Sequence, residues 1–346
     1  GMKPMGQFPL SDSIITAAEL LREAGYRMGA IGKWGLGGLG TQGDPVNQGF
    51  NHFFGYKCQS HAHNYYPEFI YLNTNTFKLR NRMPQPVASN QIGFAIAKID
   101  YTPDFFAEDT KRFITESSDH PFFLYLALTP PNVNNEAPKG LGMEAPDQGI
   151  YVDKNWPRVE IDKAAMITRM DSDIGEILNR LKDLGLERNT VVFFTSDNGP
   201  HQEGNVNPEF FDSNGPLRGV KRDLYEGGIR VPLIVRWPEK IAAGEVSDHI
   251  SAFWDFLPTV CEIAEIEAPE YTDGISFLNE MIGNPQQEHE FLYWEYPVNV
   301  GKLAIRYRNW KMVMPNLQDQ PDNMELYDLS ADIAETVDVS SAHPKI

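Results

Sequence analysis

The stretch Glu176 to Gly199, EILNRLKDLGLERNTVVFFTSDNG, decides the fold. Ile177, Leu178 and Leu181 continue an apolar helical period that runs back through Ile174, Met170 and Met166. Gly185 supplies the cap, so the spacing predicts one long helix from about Asp162 to Leu184. Val191 to Thr195 is then an unbroken β-prone run, the pattern of a strand covered on both faces, and Ser196, Asp197, Asn198 and Gly199 close it in a turn. A buried strand fed by a long helix implies a largely parallel sheet with right-handed crossovers.

The same alternation extends in both directions. Upstream, Thr16 and Glu19 make a capping box, Ala17, Leu20, Leu21 and Ala24 keep a helical period, and Gly25 ends it before a strand over Tyr26–Ile31. The apolar strand Phe122–Leu128 runs into Thr129, Pro130, Pro131 and Asn132, a loop leaving the carboxyl end of that strand. The segment from Asn132 to Arg158, with Pro, Gly and Asn throughout, reads as a long loop, and loops of that length usually serve function. Downstream come a strand at Val231–Trp237, a helix near Trp254–Ala264, and then short strands near Phe291–Glu295, Leu303–Tyr307 and Trp310–Met314 with no helices between them. The expected fold class is therefore α/β: a mostly parallel central sheet flanked by helices over residues 1–284, followed by a small antiparallel β subdomain over 285–346.

A formal charge of −18 and the lack of clustered Lys and Arg runs argue against nucleic acid as a partner. If the ligand is an anion, a few local cations or a metal must reverse the sign of the field at the site. No apolar run approaches the roughly 20 residues that span a bilayer, so no membrane anchor is expected. Gly1, Met2 and Lys3 lack the pattern of a signal peptide, and Gly1 before Met2 reads as a tag-cleavage scar, so location is not encoded here. With only Cys58 and Cys261, neither a disulfide framework nor a thiol metal site is expected.

Ligands of open α/β sheets bind at the carboxyl ends of the strands, and the residues there are Lys33, Asn132, Asp197, Asn198 and nearby His201. Asp197 and Asn198 offer hard oxygens suited to Ca²⁺ or Mg²⁺, half a site at best, since such ions take six or more; Asp-Asn-Gly also reads as a plain turn. Lys33 lies among glycines that let backbone approach a ligand, and Lys221 belongs to the densest basic cluster; both also read as solvated lysines. His61 and His63 before two tyrosines suit sugar binding, or serve as ordinary loop histidines. No Gly-x-Ser-x-Gly elbow occurs, so a Ser-His-Asp hydrolase is not expected. Spacing alone stops at an anion or divalent-metal site.

Four runs carry a resemblance. AGYRMGAIGKWGLG from Ala24, FFTSDNGPHQEG from Phe193, LRGVKRDLYEGGIRVP from Leu217 and MELYDLSADIAE from Met324 resemble the sulfatase family of the alkaline phosphatase superfamily, in the family's order and across nearly the whole chain. YKCQSHAHNYYP from Tyr56 is similar to sulfatases acting on sulfated carbohydrate. The resemblance implies sulfuric ester hydrolysis, with sulfated carbohydrate or a small sulfate ester as partner. It implies sulfate-binding lysines at Lys33 and Lys221, with His63 and His201 beside the substrate. It implies a Ca²⁺ held by Asp197, Asn198 and an aspartate pair near the N-terminus, and a formylglycine nucleophile made in a Cys/Ser-x-Pro-Ser-Arg motif. Two lysines and one divalent ion would give an acidic protein a positive pocket. Members of the family are often periplasmic or secreted.

The sequence departs from that pattern. Cys58 is followed by Gln59, Ser60 and His61, and Cys261 by Glu262, Ile263 and Ala264, so the nucleophile motif does not occur in these 346 residues, and the segment expected to bring the aspartate pair is reduced to a short leader. Gly35 stands where the family's Gly-Lys-Trp-His-Leu-Gly has histidine, and Asn132 where a histidine is expected after the Phe122 strand. These substitutions predict an impaired catalyst. The alternatives are a non-catalytic protein that binds sulfated glycans, and a phosphatase or phosphodiesterase of the same superfamily with a Thr or Ser nucleophile and two metals. A missing central strand would also expose apolar edges, which predicts a homo-oligomer or a rearranged edge.

Overall fold

The computed structural model of the protein describes residues 8–85 and 92–346; Gly1, Met2 and Lys3 lie outside them. The chain forms two compact units, one made of the residues up to Thr190 with Glu203–Asn205 and Leu257–Glu270, the other of Val191–Gln202, Val206–Phe256 and Tyr271–Ile346.

In the first unit, helix α1 (Ala17–Glu23) starts at the expected capping box: Glu19 N donates to Thr16 Oγ1 at 3.2 Å, and Thr16 N donates to Glu19 Oε2 at 2.9 Å. Strands β1 (Arg27–Lys33), β2 (His52–Tyr56), β3 (Phe69–Leu72), β4 (Asn75–Lys78) and β5 (Phe122–Ala127) form one sheet in the order β4-β3-β2-β1-β5. β1 runs parallel to both β2 and β5, while β2, β3 and β4 follow as an antiparallel meander. Ile31, Phe54, Tyr56, Ile70, Phe106 and Phe113 fill the core on this sheet, and burying each large side chain is worth about 1.5–3 kcal/mol. Helix α2 (Thr102–Glu116) supplies Phe106 and Phe113. The long helix α3 (Arg158–Asp183) begins four residues before its expected start and is tied to α2 by Arg169, whose Nε and Nη2 donate to Asp104 at 2.7 and 2.8 Å. Because β1, β2 and β5 run parallel, their carboxyl ends share one edge, and Lys33, the 57–63 turn and the Thr129–Asn132 loop all leave from it.

In the second unit, β6 (Val192–Thr195) differs from expectation. It pairs antiparallel with β7 (Leu233–Arg236) in a two-stranded sheet, and Phe194 is 40% exposed. An apolar run reports burial propensity and carries no information about its partner strand or how many faces are covered. Phe193 packs edge-on against Phe256 and Phe277, with centroids 5.4 and 6.2 Å away. Short helix α4 (Glu226–Ile229) precedes β7 and α6 (Leu278–Met281) lies further on in this unit, whereas α5 (Phe256–Ile263) belongs to the first unit from Leu257 on. β8 (Leu292–Tyr296), β9 (Lys302–Tyr307), β10 (Trp310–Met314) and β11 (Glu325–Asp328) form an antiparallel sheet over a core of Leu224, Ala304, Val313, Tyr327 and Leu329. That sheet shares its compact unit with Val191–Gln202 and Val206–Phe256, so the unit that holds it begins well before residue 285. Both cysteines are free and buried. Among the described residues no helix is long and apolar enough to cross a membrane.

One ion pair fixes the loop between β1 and β2. Lys57, directly after β2, donates from Nζ to both carboxylate oxygens of Asp44 at 2.7 and 2.8 Å, and neither side chain is more than 1% exposed. The ammonium lies over the rings of Phe53 and Tyr71 at 5.6 and 5.4 Å. Burial pushes the lysine pKa down, and Asp44 opposes that shift. Lys57→Ala strands a buried carboxylate and is expected to cost about 3–5 kcal/mol in urea unfolding; a loss below about 1 kcal/mol would show that the pair does not hold this loop.

Candidate functional site

Lys33 ends β1, partly buried, and Gly35 follows two residues on with a left-handed backbone, φ +85°. A Cβ at Gly35 would stand 2.5 Å from Gln59 Nε2 and 2.8 Å from its Cδ. The Gln59 carboxamide therefore fills the space into which a side chain at position 35 would begin to project. Trp34 N donates to Tyr56 O at 2.9 Å and Trp34 Nε1 to Gly43 O at 2.7 Å, which fixes the strand ends on either side.

The two histidines of the 61–63 turn divide their work. His61 is fully buried between Tyr56 and Phe69, with centroids 4.9 and 5.5 Å away, and its Nε2 lies 3.0 Å from Phe69 O, so that nitrogen carries the proton and donates. Burial pushes its pKa down to about 4, against that backbone bond. His63 is partly exposed, and its Nδ1 lies 3.2 Å from Glu136. Tyr65 ties this turn to the loop after β5: its hydroxyl donates to Asn132 O at 2.6 Å and lies 3.1 Å from Thr129 O.

The second unit brings Asp197, Asn198, His201 and Lys221 onto one junction. Lys221 N donates to Pro200 O at 2.8 Å, and Gly199 N donates to Gly228 O at 3.0 Å, so the turn after β6 and the 217–228 loop are stitched along their backbones. Any Cβ at Gly199 would collide with Gly227 O, which is why glycine stands there. Asn198 Nδ2 donates to Gly199 O at 2.8 Å, and Asp197 is exposed.

Behind this junction lies a polar hub. Lys311, fully buried, donates from Nζ to Glu226 Oε1 at 2.7 Å and pairs with Glu335 Oε1 at 3.3 Å, while Glu226 N donates to Glu335 Oε2 at 2.7 Å. Burial raises the Glu335 carboxyl pKa, and the Lys311 charge opposes it. Arg218 stacks 3.8 Å over the Tyr225 ring and donates to Tyr327 Oη and Glu335 O at 2.9 and 2.7 Å. Tyr225 and Tyr327 both donate to Glu325 Oε2, at 2.6 and 2.7 Å. Lys302 Nζ donates to Asp223 Oδ1 at 2.8 Å.

A family profile described as sulfatase matches residues 10–266, and one described as N-sulphoglucosamine sulphohydrolase, C-terminal, matches 219–344. The chain belongs to the sulfatase family. It is 26% identical to an N-acetylgalactosamine-6-O-sulfatase of Bacteroides thetaiotaomicron over 97% of this chain and 75% of that protein. It is 30% identical to the N-acetylgalactosamine-6-sulfatase of Rattus norvegicus over 88% of this chain and 56% of that protein. A solved structure from work on glycosaminoglycan metabolism by Bacteroides thetaiotaomicron superposes with a TM-score of 0.74 at 25% identity, covering 100% of this chain and 82% of that one. The chain spans little more than half the length of the mammalian N-acetylgalactosamine-6-sulfatases it matches, 54% for that of Canis lupus familiaris.

Of the expected sulfatase site residues, Lys33, Gly35, His63 and Asn132 lie in the first unit and Asp197, Asn198, His201 and Lys221 in the second. Asp197 and Asn198 supply two hard oxygens, and among the described residues no group of three or more His, Cys, Asp or Glu comes together as a metal site. Two donors do not fit a calcium shell of six or more, so no chemical step is derived through calcium. Sequence reading missed Gln59, the Lys57–Asp44 pair and the Lys311 hub. Arg218, Tyr225, Glu226, Glu325, Tyr327 and Glu335 all fall inside the sulfatase-like runs, so those runs signalled an internal network as well as a site.

Neutral burial of His61 sets a pH dependence. Its folded pKa of about 4 lies below the ordinary value, so its contribution to stability is complete above about pH 6.5 and is lost as pH falls toward 4. Between about pH 7.5 and 5 the parent is expected to lose roughly 2 kcal/mol more than His61→Gln in urea unfolding. Equal losses would mean the ring protonates in the fold.

Proposed function

We propose that this sulfatase-family chain recognises sulfated carbohydrate through Lys221 of its second unit, and that it is impaired in hydrolysing the ester. The observation that carries the recognition is the stitched junction of the second unit, where the backbone of Lys221 donates to Pro200, three residues after Asp197 on the turn that closes β6. A fixed backbone on both sides of Lys221 limits the entropy lost when its ammonium meets a sulfate. The names of the relatives favour a hexosamine 6-sulfate as the first ligand to test. The impairment rests on Gly35 and Asn132. Glycine offers neither a proton nor a side-chain hydrogen bond, and an amide does not transfer protons near neutral pH; each lost contact to the transition state is worth about 10²–10³ in rate. The calcium expectation stays attached to Asp197 and Asn198 as a half-site.

Calorimetry should find binding of N-acetylgalactosamine 6-sulfate by the parent and at least tenfold weaker binding by Lys221→Ala, with no turnover of an aryl sulfate in the presence of Ca²⁺. Calcium-dependent turnover would overturn the impairment; absence of binding to any sulfated sugar would overturn the reading as a whole. We further propose that the chain self-associates, because β5 ends the order of the five-stranded sheet and Tyr125 on it is 47% exposed. Light scattering should give a mass above that of one chain, and a clean monomer would refute it.

A further inference from the structure

In a chain with 48 acidic residues and 30 lysines and arginines, the stretch between Asp44 and Asp100 reverses the balance: its one acid is Glu68, against Lys57, Lys78, Arg80, Arg82 and Lys98. All of it belongs to the first unit. We infer that Lys78 and Arg82, at the carboxyl edge of that unit's sheet, form an anion-binding place for the repeating acidic groups of a polymeric sulfated glycan; this rests on the reading of the ligand as sulfated carbohydrate and concerns the first unit alone.

Three of the five cations are already spent. Lys57 is paired with Asp44, and Lys98 Nζ lies 2.6 Å from Glu144 Oε1. Arg80 is held by Asp100, which accepts from its backbone N at 2.7 Å and from its Nε at 2.9 Å. Lys78 and Arg82 are exposed, and among the described residues neither has a carboxylate partner. Topology places them at the rim. Two antiparallel steps through β3 give β4 the same direction as β2 and β1. The register joins Lys33 to Tyr56, Gly55 to Tyr71 and Phe69 to Lys78. Lys78 therefore ends β4 on the edge where Lys33 ends β1, three strand spacings or about 14 Å away. Arg82 follows within about 14 Å of Lys78, the reach of four extended residues. The backbone between them is pinned: Asn81 Nδ2 donates to Pro67 O and Asp100 O at 2.9 and 2.8 Å, and Ile99 N and Asp100 N each donate to Asn81 Oδ1 at 2.8 Å. A fixed backbone lowers the ordering cost of binding.

The chemistry of this edge selects the partner. Between Leu39 and Ile96 no large apolar side chain is exposed among the described residues, and β4 presents Asn75, Thr76 and Lys78 to water. Protein interfaces centre on apolar and aromatic side chains, and single-stranded nucleic acid needs exposed rings on which bases stack. Cations set among amide and hydroxyl groups suit instead a hydrophilic polymer that carries acidic groups at intervals and hydroxyls between them.

The test measures calorimetric binding of a chondroitin 6-sulfate hexasaccharide and of N-acetylgalactosamine 6-sulfate to the full chain at low ionic strength. The double variant Lys78→Ala/Arg82→Ala is expected to bind the hexasaccharide about tenfold more weakly, with a shallower salt dependence, and the monosaccharide within about twofold of the parent. A control that removes two exposed cations elsewhere, Lys182→Ala/Lys240→Ala, should match the parent with both sugars. An equal loss in the control would assign the effect to net charge, and an unchanged double variant would leave the edge without a role. Either result overturns the proposal, while monosaccharide binding keeps the sulfated-carbohydrate reading standing. A single-stranded DNA of equal charge that binds the parent as tightly, with the same loss in the double variant, would put a nucleic acid in the glycan's place and also overturn it. If the parent binds neither sugar, both fall together.

Discussion

A lysine removed from water and paired with carboxylate at 2.7 Å organises each unit of this protein. In the first, Lys57 and Asp44 clamp the loop between β1 and β2. In the second, Lys311 lies between Glu226 and Glu335 beneath the loop that carries Lys221. Burying an ammonium is costly unless its charge is met by well-placed partners, so each such pair tolerates few alternative loop conformations. Segments near these anchors are held in turn: Gln59 lies beside Gly35 in one unit, and the backbone of Lys221 is bonded to Pro200 in the other.

Charge is distributed accordingly. An acidic chain that binds anions needs local cations, and the run from Leu217 to Arg222 looks like the richest source. The structure divides that run. Arg218 is committed to Tyr225, Tyr327 and the Glu335 carbonyl, whereas the Lys221 backbone is bonded to Pro200 on the turn that carries Asp197 and Asn198. The same division applies to the two histidines, with His61 neutral in the core and His63 beside Glu136.

Substitution at Gly35 has a different meaning once Gln59 is seen. In the sequence it reads as a loss. In the structure the space that a Cβ at position 35 would enter holds the Gln59 carboxamide.

The sequence alone determined what local chemistry enforces. The capping box at Thr16 and Glu19, the long amphipathic α3, the parallel character around β1 and β5 and the antiparallel strands after Phe291 were legible because each is written in spacing and propensity. The sulfatase family was legible because its runs occur in order along the chain. Strands β2 to β4 and helix α2 were passed over, and β6 was read into the parallel sheet, because an apolar run does not name its partner. Only the tertiary structure decided that Lys57 meets Asp44, that Lys311 meets Glu226 and Glu335, and that Gln59 fills the place beside Gly35. Those meetings join residues 13, 85, 24 and 24 positions apart, and such contacts depend on how strands are stacked, which spacing along one chain does not specify.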